Sequence, residues 1–311
     1  WALWYALGDI GGGILNFSII GRRMRKFSQL SGALTAIEYL ERRYPSSILR
    51  LLSASLTLFL LGFYVLAQFI AGGKGMALVT GIPYPAALAI AVTVIVLYTF
   101  MGGYLAVAYT DFFQSLIMLF GVMWIFIAVL SQLGGFTSAN NALHAFDPTL
   151  LSMWGKDLGF KGQWGVVAGA ILIFSIGPLG WPHLVTRHMA MKSPSTARQA
   201  GGWATAWNLL FVPTPYLIGI FGVLILPSIS DPEMVIFQLA GELLPSAATG
   251  LVMAAIMAAI MSTADSLLLQ TGTIASRDLY QRFIDSEASE QQMVWVSRGL
   301  VILIALIGYF V

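Results

Sequence analysis

The chain has no cysteine among its 311 residues. That excludes disulfides and thiolate metal sites. Charge is scarce as well. Asp, Glu, Lys and Arg together make up 10% of the residues, against about 25% in an ordinary soluble domain. The net charge is only +2, so the electrostatic footprint of a nucleic-acid binder is missing. No low-complexity tract or soluble-domain boundary interrupts the chain. There is no initiator Met and no signal peptide. Trp1 and Val311 both fall inside apolar segments, so the expectation is the middle of a longer transporter-like chain, truncated at both ends.

What is present is apolar. Hydrophobic residues make up 58%, and the mean hydropathy is +0.82. This composition points to an all-α integral membrane protein. A spanning helix needs about 20 apolar residues. Eight segments qualify, at approximately 1–21, 48–72, 84–102, 109–133, 164–183, 202–227, 247–275 and 293–311. The connections 134–163 and 227–246 are long enough to hold a short surface helix each.

Lys and Arg sort these loops into two sides. Arg22, Arg23, Arg25, Lys26, Arg42, Arg43, Arg50, Arg187, Lys192, Arg198, Arg277, Arg282 and Arg298 fall on one side. Lys74, Lys156 and Lys161 fall on the other. Thirteen plus three accounts for all 16 basic residues, leaving none for the spans. The positive-inside rule makes the first group cytoplasmic. Three acids remain within spans: Asp9, Asp111 and Asp265. An intramembrane acid is costly and by default marks a functional site.

Ala258 to Gln270 reads AAIMSTADSLLLQ. At 100° per residue, Ala259, Ser262, Thr263 and Ser266 share one stripe, with Asp265 at its edge. Hydroxyl, carbonyl and carboxylate oxygens suit a hard cation. Interhelical packing by small polar residues explains Ser262 and Thr263 equally well, but it does not need a carboxylate. Asp111 lies about a turn inside its helix, at a depth similar to that stripe. It fits either a shared cation site or an N-terminal cap. Ser175 to His183, SIGPLGWPH, sets two Gly and two Pro inside a span. The helix should kink or break there. Broken backbone at membrane depth lines cavities, and in secondary transporters it forms the substrate site. Asp9 sits among Gly8, Gly11, Gly12 and Gly13, a pattern for close helix packing; the acid itself fits a substrate cavity or a partner cation. Gly72-Gly73-Lys74 lacks the spacing of a P-loop. No metalloprotease, nucleophile-elbow or basic-aromatic pattern occurs, so the chain reads as neither an enzyme nor a nucleic-acid binder. No pattern speaks to oligomeric state.

Four separated pieces, in order, resemble the sodium/solute symporter family, especially its sodium/proline and sodium/pantothenate branches. They are Arg23-Met24-Arg25 with Thr35 to Tyr44, Tyr98 to Gln114, Pro182-His183 with Arg187, and Ala258 to Ser266. The resemblance implies a leucine-transporter-type bundle of two inverted repeats. Residues 1–133 would be helices two to five of the first repeat, 134–163 an extracellular loop, and 164–311 helices one to four of the second. It implies a Na⁺ site at Ala259, Ser262 and Thr263, completed by a helix outside this chain. It implies a second Na⁺ site at Asp111, Ser262, Asp265 and Ser266, although members with that site carry a hydroxyl in place of Asp265. Na⁺ is then the coupling ion, with no organic cofactor. The expected activity is symport of a small organic solute such as proline or pantothenate across a cell membrane, in the manner of a bacterial inner-membrane carrier. Gln68, Gly177, Trp181 and Asp9 are the expected substrate contacts. The aromatic positions of proline carriers match Phe174 and Pro178 here, and the second of these loses the ring. The stretch from Leu244 to Thr263 is closer to the pantothenate branch. Two other readings stay open: the membrane part of a signalling kinase, and a proton-coupled carrier in which Asp111 or Asp265 titrates.

Overall fold

The computed structural model describes residues 2–152 and 163–310. These form helices, with no strand among them. Lys156 and Lys161 lie outside the described residues. The helices are α1 (Ala2–Leu15), α2 (Arg22–Ser31), α3 (Ala36–Arg43), α4 (Ser47–Thr80), α5 (Tyr84–Gln132), α6 (Phe136–Phe146), α7 (Gln163–Ile176), α8 (Pro182–Ala190), α9 (Pro194–Phe211), α10 (Pro213–Ile225), α11 (Val235–Leu243), α12 (Ser246–Thr273) and α13 (Glu290–Tyr309). π-helical turns at Asn16–Gly21 and Ile274–Ile284 continue α1 and α12, and α7 ends in a 3-10 turn at Gly177–Gly180. Helices α6 and α11 are the short helices expected in the two long connections.

Among the described residues six helical runs are long and apolar enough to cross a membrane, and α7 with α8, bent by 47°, makes a seventh if the pair is one span. Helix α5 has 49 residues, about 74 Å at 1.5 Å per residue, more than twice the bilayer core. Gly103 cuts it with φ 59° and ψ −164°, a region open to glycine alone. Dividing α5 there adds one span, and seven plus one gives the expected eight.

The helices overrun the segments that hydropathy marks. The first run continues to Ser31, so Arg22, Arg23, Arg25 and Lys26 are helical rather than in a loop. Arg198 lies in α9, Arg277 and Arg282 lie in the π turn after α12, and Lys74 lies within α4 rather than at its end. Caps decide where a helix stops, and hydropathy does not see them. Ser46 opens α4 by accepting from Leu49 N at 3.2 Å, and Gly81 closes it at φ 72°. Ser289 and Gln292 form a capping box ahead of α13.

The chain folds as two units: 1–26 with 118–184 and 191–255, and 27–117 with 185–190 and 256–311. In the first, α1 lies against α7 at backbone contact. A Cβ on Gly8 would fall 3.0 Å from Ala170 O, and one on Gly12 would collide with the carbonyl of Phe174. Ser175 Oγ donates to Gly8 O at 3.0 Å. Gly8 and Gly12 are thus the small-xxx-small face of a membrane helix pair. In the second unit, Leu61, Val65 and Phe69 of α4 meet Leu88, Val92 and Ile95 of α5, Leu267 and Leu268 of α12, and Val301 and Ile304 of α13. The spacings of three and four on α4, α5 and α13 place each of those sets on one helix face.

Candidate functional site

The polar stretch of α12 holds together as the helix predicts. Ser262 Oγ and Thr263 Oγ1 donate to Ala259 O at 3.1 and 3.2 Å. Their hydrogens are therefore spent on their own helix, and the lone pairs of both hydroxyl oxygens remain for a cation. Carbonyl and hydroxyl oxygens converge on one short patch, and all three residues are half-buried.

One turn on, Asp265 is fully buried. A carboxylate in a spanning helix costs about 2.5–3.5 kcal/mol on insertion scales, so it needs partners. Tyr98 OH donates to Asp265 Oδ2 at 2.9 Å and lies 3.2 Å from Met261 O. Ser266 Oγ lies 3.2 Å from Asp265 Oδ1 and 3.3 Å from Asp111 Oδ2. The structure thus brings Asp111, Asp265 and Ser266 into one cluster. Arg187 of α8 joins them. Its guanidinium ion-pairs with Asp111 and donates to Ser266 Oγ.

The break in α7–α8 is where the Gly and Pro residues put it. Asn16 Nδ2 donates to the freed Pro178 O at 2.6 Å, and Trp181 N donates to the same carbonyl at 3.3 Å. The Trp181 ring lies 5.6 Å from His183. Phe174 packs edge-on to Tyr5 of α1. Gly177 is next to the Trp181 indole; a Cβ there would come 3.9 Å from Nε1.

With this geometry in hand, comparison with known proteins is decisive. A model of the sodium:solute symporter family matches residues 1–311. The chain belongs to the sodium:solute symporter family. The osmoregulated proline transporter OpuE of Bacillus subtilis (strain 168) is 30% identical over 98% of this chain and 62% of its own length. A sodium/proline symporter of Staphylococcus aureus is 29% identical over 99% of this chain and 60% of its own length. The chain therefore spans about three fifths of these relatives. A Na⁺-coupled sialic acid symporter, solved substrate-bound and outward-open, superposes with a TM-score of 0.80 at 19% identity, over 99% of this chain and 70% of that one. That likeness shows the fold. The relatives are membrane transporters, not enzymes.

The six residues expected around sodium, Ala259, Ser262, Thr263, Asp111, Asp265 and Ser266, all belong to the second unit. They form two adjoining groups, one at Ala259 and one around Ser266. Among the expected substrate contacts, Asp9, Gly177 and Trp181 belong to the first unit and half-buried Gln68 to the second. Asp9 lies near enough to Tyr216 of α10 to act on it through charge.

Sequence reading missed Arg187 and Tyr98 as members of the cluster. Arg187 was assigned to a loop, and the break in α7–α8 brings it back to Asp111. A second ionic group was missed outright. Arg50, only 7% exposed, pairs with Glu38, Glu41 and the fully buried Asp278. Thr35 Oγ1 donates to Asp278 at 2.9 Å. Arg277 and Arg282 pair with Glu38 and Glu41. Partial burial works to raise the Glu41 carboxyl, but the hydrogen bonds and charges of Arg50 and Arg282 prevail and hold it below its ordinary value. No local signal joins its members: Arg277 and Glu38 are 239 positions apart, and Arg282 and Glu41 241.

Proposed function

We propose that this chain is the central part of a sodium-coupled symporter that carries a small organic solute by alternating access. The supporting observation is the oxygen patch of Ala259, Ser262 and Thr263 on α12, in a chain of this family. Na⁺ bound there favours one of two conformations. Solute bound near the break at Gly177–Gly180, with Trp181 and Asp9 as contacts, favours the same one. Each ligand then raises the affinity for the other, since both bias one equilibrium. The relatives' names favour proline among the solutes. The glycine-rich break, with Pro178 where proline carriers have an aromatic ring, favours a different fit, and pantothenate is the second candidate. The repeat arrangement of 1–133 and 164–311 around 134–163 belongs to the same reading, as does placement in a bacterial inner membrane.

The test is uptake of labelled proline and pantothenate by the full-length protein, with Na⁺ replaced by choline, in wild type and Ser262→Ala. Uptake that needs Na⁺ and a variant with weakened Na⁺ dependence support the reading. Uptake indifferent to Na⁺ overturns it. A proton-coupled carrier is the second reading, favoured by Arg187 standing as a cation beside Asp111 while Asp265 hydrogen-bonds Tyr98. Uptake driven by a pH gradient without Na⁺ would select it, and Asp265→Asn would then abolish the pH response.

A further inference from the structure

Arg298 lies eight residues after Glu290 in α13, about 12 Å along the helix. Among the described residues its charge has no answering carboxylate. Nε donates to Phe100 O at 3.2 Å. The guanidinium carbon stands 4.5 Å from the Phe100 ring centre and 5.3 Å from that of Trp295. Arg50, Arg187, Arg277 and Arg282 each pair with a carboxylate. Among the described residues, no carboxylate reaches Arg298. An arginine inside a spanning helix is costly unless it meets a partner or a wet headgroup.

Arg298 opens onto a cavity of about 530 Å³ within the second unit. Arg277 and Glu290 also line it. Arg277 is already held by Glu38, which leaves Arg298 and Glu290 as the other charged residues of the lining, about 12 Å apart along α13. The rim is apolar and open: Met101 is 78% exposed and Leu34 46%, and Trp295, beside Arg298 rather than in the lining, is 64% exposed. A free polar anion gains nothing from such a rim, but acyl chains do. Tryptophan is also at home at headgroup level. Basic pockets between spanning helices take anionic headgroups.

We propose that this cavity binds the phosphodiester headgroup of an anionic phospholipid, with Arg298 on the phosphate and Met101 and Trp295 against the acyl chains. The site is separate from the sodium and solute reading and does not depend on it.

The full-length protein would be delipidated in detergent and titrated with phosphatidylglycerol, phosphatidylcholine or inorganic phosphate, and bound lipid would be counted by native mass spectrometry. Wild type should take up phosphatidylglycerol in preference to phosphatidylcholine. Arg298→Gln should weaken that binding about five-fold. Glu290→Lys, an exposed change that does not threaten folding, should strengthen it by a similar factor. Equal affinity for both lipids in wild type, or no response to either substitution, overturns the proposal. Displacement of bound phosphatidylglycerol by millimolar inorganic phosphate also overturns it, since the site would then be one for a free anion.

Discussion

The unit of residues 1–26, 118–184 and 191–255 is joined by what its side chains leave out. Gly8 and Gly12 let α1 reach the backbone of α7, and Asn16 and Ser175 close the remaining backbone bonds. The unit of residues 27–117, 185–190 and 256–311 is joined instead by charge, with Arg50, Asp278, Arg187, Asp111 and Asp265 buried or half-buried along it. Lipid tails are as apolar as leucine, so burial of apolar surface does little to hold spanning helices together. Close backbone approach and polar pairing are the two remedies; the first unit shows the former at Gly8 and Gly12, and the second adds buried ion pairs to close contacts of its own at Gly272 and Gly308. Only the polar remedy leaves oxygen atoms with uncommitted lone pairs, which is why the candidate sodium ligands sit in the second unit.

Substitutions can sharpen or break that contrast. The largest effect is expected at Arg50. Removing it leaves the fully buried Asp278 without its cation, and breaking such a pair costs about 3–5 kcal/mol. Denaturant unfolding of the full-length protein in detergent would measure it. A cost below about 1 kcal/mol would mean that the second unit does not depend on charge. Next is Gly12→Ala, whose methyl group meets the Phe174 carbonyl. Overpacking of this kind costs about 1–3 kcal/mol. Gly62→Ala is its control, because nothing lies within 4 Å of the new methyl, and it should be neutral or slightly stabilising. Equal losses in the two would remove the case for a glycine-packed unit.

A smaller effect, confined to ion binding, is expected from Ser262→Ala. It should raise the Na⁺ concentration for half-maximal uptake about ten-fold, equivalent to about 1.4 kcal/mol, with the unfolding midpoint little changed. A Na⁺ dependence that stays put would place the ion elsewhere. The smallest effect is a pH response of the α3 contacts. Glu41 has a lowered value in the folded protein. Its contribution to stability is therefore complete above the ordinary value of 4.5 and fades as the pH falls through the lowered one. Glu41→Gln should flatten that acid limb of a stability profile while leaving the profile above pH 6 unchanged in shape.

The sequence made the spans legible because twenty apolar residues have few other uses, and it made the break in α7–α8 legible because Gly and Pro act locally. Asp265 stood out for the same reason, as an acid where lipid was expected. Helix ends were less legible. Gly103 divides α5 through one positive φ, and α4 runs on to Gly81 through a cap that no hydropathy window detects. The ionic groups were illegible because their members are far apart in sequence: Arg50 and Asp278 are 228 positions apart.

The sequence by itself determined an all-helical membrane chain, its family, and the row of oxygens on α12, because helix period and hydropathy are local properties. Only the tertiary structure decided that Arg187 stands beside Asp111, that Tyr98 holds Asp265, and that Arg298 meets no carboxylate among the described residues. Charge pairing in a low-dielectric interior acts over a few ångströms, and distance in space is what folding adds to distance along the chain.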